Sequence, residues 1–314
     1  ILSLLAMVHI AHRAAPLTSH ETLTHVMRTW LLVFMILAAF SLVEELSDHL
    51  LKRLLFWPFR IPQLVDGQVV FQFDHTVILD PTKSNFNMVA LGFTLWSVLY
   101  VFSRHCSPAA ARVGGALAAT FAGGAILLSE NLTAKIAYVT GLLVLLVAFR
   151  APRLAARGLA VAWIACLTLV VPVALTLYDR GVQSDQDVPF SLRHRIVIWH
   201  HTATTIAERP VVGIGPGMTK WRFEREGVPA RDPSGFERTL SVYAHNVYLQ
   251  AWLELGVVGV AILIALGLLL LRFLARLGEG VAPYALALFA NVLVMGMTGY
   301  GLFTTWYIST LVAG

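Results

Sequence analysis

The sequence predicts an all-α polytopic membrane protein, and two observations carry that prediction. Hydrophobic residues make up 57% of the 314 residues, whereas charged residues make up only 13%. A soluble globular domain has about 25% charged residues, so this chain needs lipid as its solvent. The apolar residues also form runs long enough to cross a bilayer as helices, which takes about 20 residues. These runs predict about nine transmembrane helices. Because the first of them is cut short at Ile1, we expect more in the full-length protein.

The predicted spans fall into two groups, separated by a long polar segment. The first group begins with a fragment before His12, and the second group ends with a run from Tyr300 onward. Between these two lie the predicted spans 30–46, 88–102, 114–128, 136–149, 159–177, 247–271 and 284–297. The span 136–149 is short for a bilayer, so its end needs shielding by neighbouring helices or by thinned lipid.

The orientation follows from the basic residues of the short loops, which favour the cytoplasmic side. Alternating the spans brings four groups of arginines to that one side. They are Arg13 and Arg28; Arg104 and Arg112; Arg150, Arg153 and Arg157; and Arg272 and Arg276. The chain is then predicted to consist of an N-terminal transmembrane bundle (1–178, with an outer loop at 47–85), a large outer loop (179–244) and C-terminal transmembrane helices (245–314).

The outer loop at 47–85 contains two distinct patterns. Residues 50–62, LLKRLLFWPFRIP, separate apolar from basic side chains on a helix, which is typical of a segment lying flat in the headgroup layer. A gate over a substrate site is the alternative. Residues 69–81, VVFQFDHTVILDP, alternate apolar and polar residues and predict a short strand or an extended loop.

Lys135 is a cation in a short predicted outer loop, where the positive-inside rule disfavours it. One reading is a snorkelling lysine paired with Glu130, and the other is a phosphate ligand facing an outer cavity. The position alone leaves both readings open.

The loop at 179–244 is too long for a plain connector. We expect a helix that starts near Ser191 and ends before Pro210, with an apolar face on one side. Arg195 and Trp199 are four residues apart, so they share a side of this helix. The guanidinium could thus be held against the indole and directed at an anion, or the pair could be an ordinary cation–π contact on an amphipathic surface helix.

A compact turn and a helix entry complete this region. Gly213, Gly215 and Gly217 predict a turn whose backbone can approach another group closely. His245 is predicted to lie in the first turn of the following helix, with Gly256 and Gly259 recurring on the same helical face. Partial burial and the positive end of the helix dipole both disfavour an imidazolium there, so His245 should be neutral and able to accept a proton. A structural histidine bonded to a carbonyl is the alternative.

Two groups of residues in this region could hold a metal ion, and the sequence favours neither. Asp185-Gln186-Asp187 is a DxD triplet of the kind that holds a divalent ion in some sugar transferases, but the spacing is common by chance. The histidines of this region have no zinc-type spacing and no cysteine to assist them. They are His194, His200, His201 and His245.

Four motifs follow one another through this part of the chain. They are Arg195-x-x-x-Trp199, Glu208-Arg209-Pro210-x-x-Gly213-x-Gly215-x-Gly217, His245-Asn246-x-Tyr248-Leu249-Gln250, and Glu254-Leu255-Gly256-x-x-Gly259. In their order, spacing and predicted outer placement, they resemble the signature of the bacterial O-antigen ligase and O-antigen polymerase superfamily. The resemblance covers roughly residues 75–300.

The resemblance implies a GT-C-like glycosyltransferase of the inner (cytoplasmic) membrane, with loop 179–244 as a periplasmic catalytic loop. The implied donor is an O-antigen glycan on undecaprenyl pyrophosphate, and the implied acceptor is a sugar hydroxyl of lipid A–core. Membrane lipids are the other expected partners; no nucleic acid, metal or cofactor is expected.

The resemblance also implies roles for individual residues. His245 would activate the acceptor hydroxyl and Arg195 would bind the donor pyrophosphate, with Arg193 as an auxiliary. Lys135 stands where the family carries a second arginine, and a lysine lacks the bidentate fork of a guanidinium. The supporting residues of the predicted site are Asn246, Trp199, Gly213 and Gly215.

Three other functions compete with O-antigen ligase. An O-antigen polymerase and a protein O-oligosaccharyltransferase belong to the same superfamily and use the same kind of donor. A lipid-linked glycan transporter belongs to a different class, and it predicts charges or broken helices near the middle of the membrane. The sequence shows almost no charge in its predicted spans.

Overall fold

The computed structural model describes residues 20–47, 50, 71–72, 76–77, 81–226, 243–278 and 280–298. The described chain is helical apart from one short ribbon, and six of its helices are long and apolar enough to cross a membrane. The helices are α1 (His20–Leu46), α2 (Pro81–His105), α3 (Pro108–Leu128), α4 (Leu132–Arg150), α5 (Pro152–Asp179), α6 (Phe190–Ile206), α7 (Met218–Glu226), α8 (Val247–Leu274) and α9 (Ala282–Thr298). The predicted fold class is confirmed.

The predicted spans between residues 30 and 297 all coincide with helices, of which α9 is the short one. The predicted fragment before His12, the run from Tyr300 onward and residues 51–62 of the segment 50–62 lie outside the described residues. The alternation at 69–81 gives two minimal strands, β1 (Phe71–Gln72) and β2 (Thr76–Val77), which pair antiparallel. The prediction of a short strand there is therefore confirmed.

Local sequence explains where several helices begin. Ser107 caps α3 by accepting a hydrogen bond from the Ala110 amide at 3.4 Å, and Pro108 follows at the first helical position. Pro152 likewise occupies the first position of α5, although no side chain caps that helix. Proline is tolerated at these positions because the first amides of a helix have no partner within the helix.

The chain divides into two compact units, Ile1–Val139 with Thr310–Gly314, and Thr140–Ser309. In the first unit α3 packs against α1 and α2. The rings of Trp96 and Tyr138 stack there with their centroids 6.3 Å apart, and Gly123 leaves room for the Tyr138 ring. The unit boundary falls within α4. The three segments predicted from the sequence describe membrane topology, and they stay predictions.

In the second unit α5 and α8 pack against each other and against α6 and α9. Three ring donors tie these helices together through backbone carbonyls. The Trp163 indole donates to Leu263 O at 3.1 Å, the Trp252 indole to Leu167 O at 2.6 Å, and the Tyr248 hydroxyl to Leu293 O at 2.7 Å. A buried donor in an apolar setting needs such a partner, so these bonds fix the register between helices.

α8 is longer than a bilayer requires. Without interruption its 28 residues would extend about 42 Å at 1.5 Å per residue, against about 30 Å of hydrocarbon, but non-helical backbone angles at Gly256 divide it into two helical segments. The N-terminal part of α8 packs on α6 through Leu249 and Leu253. This part can therefore lie at the membrane boundary, where it positions the candidate site.

Candidate functional site

The amphipathic helix predicted between Ser191 and Pro210 is observed as α6. Its apolar face is buried in a cluster shared with α5 and α8. The cluster contains Ala174, Ile196, Trp199, Ala203, Ile206, Ala244, Leu249 and Leu253. Because this face is fixed against two long helices, the half-buried side chains of Arg193, His194 and Arg195 are held at defined positions on the same helix.

His245 lies just outside α8, which corrects its predicted position in the first helical turn. The helix begins at Val247, and Asn246 is its N-cap. The Asn246 side-chain oxygen accepts hydrogen bonds from the amides of Tyr248 at 3.0 Å and Leu249 at 3.1 Å. His245 has a φ of 50°, which is uncommon for a residue other than glycine. The capped helix thus holds the histidine in a strained backbone conformation, a feature that clusters at functional sites.

The electrostatic setting of His245 is that of a neutral imidazole. Burial, the nearby Arg195 guanidinium and the His194 ring together lower the pKa of His245 to about 4. The ring of Tyr243 lies 4.5 Å from the His245 ring, centroid to centroid. Burial raises the pKa of Tyr243, and Arg195 opposes that shift. The structure therefore brings His245, Arg195, His194 and Tyr243 into one site, and the direction predicted for the pKa of His245 is confirmed.

The predicted compact turn at Gly213 and Gly215 inserts its backbone into a break in α8. Gly256 has a φ of 61° and a ψ of −167°, which interrupts the helix. The amide of Val257 donates to Pro210 O at 2.8 Å, and that of Val258 to Val211 O at 3.2 Å.

The same break frees two carbonyls, and the turn bonds to these as well. The amide of Ile214 donates to Leu253 O at 2.9 Å, and that of Gly215 to Glu254 O at 3.0 Å. All four bonds replace the pairing that an unbroken helix would make between residues 253–254 and 257–258. Gly256 thus ends one helical segment, which corrects the expectation that Gly256 and Gly259 lie on one continuous helical face.

Two glycines make this close approach possible. A Cβ on Gly213 would collide with the backbone of Glu254 and Leu255, and a Cβ on Gly256 would collide with the backbone of Val211 and Val212. Both residues also have a positive φ. Gly213 and Gly256 are therefore both required where the backbone of residues 210–215 crosses that of residues 253–258, a contact called the backbone crossing below.

Glu254 secures this crossing with its side chain, a role that sequence reasoning missed. The residue is fully buried in α8. Its carboxylate accepts hydrogen bonds from the Gly217 amide at 2.8 Å, the Thr219 hydroxyl at 2.6 Å and the Gln250 side-chain amide at 3.0 Å. The signal that could have found it is a lone acid in an otherwise apolar run, because a charge in such a place needs bonded partners.

The remaining predicted site residues are placed as follows. The guanidinium of Arg193 lies 5.8 Å from the centre of the Phe190 ring. Trp199 faces the apolar cluster and is 8% exposed, so it supports α6 from within. Lys135 is half-buried in the first turn of α4, in the first unit, and its role at the site stays a prediction. The structure describes both Lys135 and Glu130, and no ion pair joins them.

The metal-binding alternatives have structural explanations. The Asp185 side chain accepts a hydrogen bond from the Asp187 amide at 3.0 Å, which is a turn of the Asx type. His200 stacks on the Tyr178 ring at 3.8 Å between centroids. Within the part of the chain that the structure describes, no three His, Cys, Asp or Glu side chains cluster as metal ligands.

Comparison with known proteins supports one family. Residues 116–264 match a family model described as O-antigen ligase, and this range contains both α6 and the break in α8. Proteins named "Putative polysaccharide ligase" in Rickettsia conorii, Rickettsia bellii and Rickettsia prowazekii are 30%, 29% and 31% identical over 120–122 residues. Each match covers 38% of this chain and 29–30% of the relative, so the chain spans less than a third of their length. No solved structure matches the chain. Residues 116–264 of this chain are therefore similar to the O-antigen ligase family, the family that the sequence motifs resemble.

Proposed function

We propose that the protein is an O-antigen ligase. It transfers an O-antigen glycan from undecaprenyl pyrophosphate to a sugar hydroxyl of lipid A–core, on the periplasmic face of the bacterial inner membrane. The observation that carries this proposal is the half-buried His245, whose pKa is lowered by burial and by the nearby Arg195 guanidinium, within the segment that matches the family. A neutral base next to a fixed cation suits a reaction in which a hydroxyl attacks and an anion leaves.

The proposed reaction is a single displacement. The acceptor oxygen forms a bond to the anomeric carbon of the donor sugar while the bond from that carbon to the pyrophosphate oxygen breaks. The hydroxyl proton passes to the His245 ring, and undecaprenyl pyrophosphate leaves with its new negative charge beside Arg195. Arginine fits this role because its fork can bind two phosphate oxygens at once.

The broken helix does not favour the transporter alternative. Transporters leave the carbonyls and amides of such a break available to an ion or a substrate. Here the amides of Val257 and Val258 and the carbonyls of Leu253 and Glu254 are bonded to the turn at 210–215. The break therefore attaches the loop to α8 through backbone hydrogen bonds.

The direct test is in vitro ligation with a defined undecaprenyl pyrophosphate glycan and lipid A–core, using the purified full-length protein. We expect His245→Ala to lower the rate by at least about 10²-fold, the usual contribution of a general base. His200→Ala is the matched control, since it removes another half-buried histidine of the same unit, and it should stay active. Ligation by His245→Ala at the rate of the control would refute the assignment.

Arg195 has its own test in the same assay. If the guanidinium binds the pyrophosphate in a bidentate manner, Arg195→Lys should be nearly as damaging as Arg195→Ala, with a loss of about 10²-fold or more. A fully active lysine variant would contradict that role.

Two further measurements separate the alternatives. Activity should survive EDTA, and activity that returns only with manganese or magnesium would point back to Asp185 and Asp187. A deletion strain should show unmodified lipopolysaccharide core with polymer stranded on the lipid carrier. Core capped with a single repeat would instead identify a polymerase.

A further inference from the structure

At the end of the second unit away from His245, four arginines surround a cavity of about 380 Å³. Arg153 and Arg157 come from the first two turns of α5, Arg272 comes from the last turn of α8, and Arg276 follows just after that helix ends at Leu274. Arg153 and Arg157 are four residues apart on α5, so they share a helical face. The four side chains are exposed, and among the residues that the structure describes no acidic side chain lines the cavity.

The cavity has an apolar floor beneath its charged rim. Leu268 and Leu271 line it together with Ala156, Ala160 and Ala275. Leu271 is only 2% exposed and Ala156 only 7%, so the floor belongs to the packed interface of α5 and α8. The small alanine side chains are what leave the space open.

The placement of the arginines is partly unfavourable without a ligand. Arg272 and Arg276 lie at the C-terminal end of α8, where the helix dipole attracts cations. Arg153 lies in the first turn of α5, where the dipole repels a cation, and no side chain caps that end. An anion in the cavity would relieve the repulsion at α5 and bridge both helices.

We propose that this cavity binds the phosphodiester headgroup of an anionic membrane phospholipid. The guanidinium groups bind the phosphate oxygens, and the floor of alanine and leucine contacts the glycerol and the first methylenes of the acyl chains. Free phosphate shares the charge but has nothing to place on an apolar floor. Basic cavities between transmembrane helices are the usual setting for anionic headgroups.

The test compares two double variants that remove the same charge. Arg157→Gln with Arg272→Gln alters the cavity, whereas Arg104→Gln with Arg112→Gln removes two exposed arginines at the loop between α2 and α3. The purified full chain in detergent is titrated with short-chain phosphatidylglycerol, with phosphatidylcholine or with inorganic phosphate, and bound lipid is counted by native mass spectrometry.

We expect phosphatidylglycerol to bind the wild type in preference to phosphatidylcholine. The cavity variant should bind it roughly 30-fold more weakly, about fivefold per arginine, and the loop variant should bind it within about twofold of the wild type. Equal losses in the two variants, or equal binding of both lipids, would overturn the proposal. Competition by inorganic phosphate at the same concentration as the lipid would reassign the cavity to free phosphate.

A second variant tests the shape of the cavity without changing its charge, and its melting temperature shows whether the protein still folds. Ala160→Leu fills part of the cavity and leaves every arginine in place. It should weaken phosphatidylglycerol binding by roughly tenfold while the melting temperature without lipid stays near that of the wild type. Unchanged lipid binding by this variant would also overturn the proposal.

Discussion

At its N-terminal end α8 is broken at Gly256 and bonds through its backbone to a loop, whereas its C-terminal end is a regular helix that carries Arg272, and the turn just after it carries Arg276, to the rim of a cavity. The first end is specified by shape, because backbone atoms meet where no Cβ fits. The second end is specified by charge, because exposed guanidinium groups converge on open space. Substitutions should therefore be far more disruptive at the first end.

The largest effect should come from adding a methyl group at the backbone crossing. Gly256→Ala and Gly213→Ala each force a side chain into a positive-φ conformation and against a backbone segment. We expect each to lower the free energy of unfolding by roughly 4 kcal/mol or more, as judged by thermal melts in detergent. If either variant does not accumulate as folded protein, the loss of stability is larger still.

Gly158→Ala is the matched control for these two variants. Gly158 lies within α5, and a Cβ there would meet nothing within 4 Å. Alanine should stabilise this helix by roughly 0.5–1 kcal/mol. If Gly256→Ala melted like Gly158→Ala, the backbone crossing would not be as closely packed as described above.

Loss of the Glu254 carboxylate should rank next. Glu254→Ala leaves the Gly217 amide, the Thr219 hydroxyl and the Gln250 amide without their shared acceptor. Breaking such a buried network should lower the free energy of unfolding by roughly 3 kcal/mol. Hydrogen exchange at the amides of Ile214, Gly215 and Gly217 should accelerate, which a defect elsewhere in α8 would not cause. Glu130→Gln, which alters an exposed carboxylate, should change neither quantity.

The pH dependence of stability tests the electrostatics of the same end. A histidine in the unfolded chain has a pKa of about 6.5, and that of His245 in the folded protein is about 4. Between these values the unfolded chain binds a proton that the folded protein excludes, so stability falls as the pH decreases through this window. With allowance for partial exposure of the ring, His245 should contribute a loss of roughly 2 kcal/mol at pH 4 relative to pH 7.

His245→Asn isolates this contribution, because asparagine tolerates the positive φ but does not titrate. The variant should lose less stability than the wild type between pH 7 and pH 4. Identical losses would show that the histidine is not held neutral.

The pH dependence of catalysis gives a related prediction. Bound pyrophosphate should offset the charge of Arg195 and so raise the pKa of His245, which means that the acidic limb of kcat should lie at higher pH than that of kcat/KM.

The features that could be predicted from the sequence are those that depend on nearby residues, namely the membrane spans and the helix α6. Apolar runs determine the spans, and proline with i, i+3 and i+4 spacing determined α6 and its buried face. The predicted helical position of His245 is wrong because its spacing to Leu249 and Trp252 is that of a helix, whereas Asn246, a preferred N-cap residue, marks the start of α8 one residue later. The pairing of Gly213 with Gly256 joins segments far apart in the chain, and nothing in either segment identifies the other.

The smallest effect should come from the N-cap itself, and it separates the cap from the chemistry. Asn246→Ala removes the acceptor of the Tyr248 and Leu249 amides, which should lower the free energy of unfolding by roughly 1 kcal/mol. Asn246→Ser restores a capping oxygen and should recover most of that stability. If holding the backbone of His245 is all that Asn246 does for transfer, ligation should recover in parallel. Recovery of stability without activity would mean that the amide group of Asn246 itself contacts a substrate, so that Asn246 takes part in binding or catalysis as well as capping the helix.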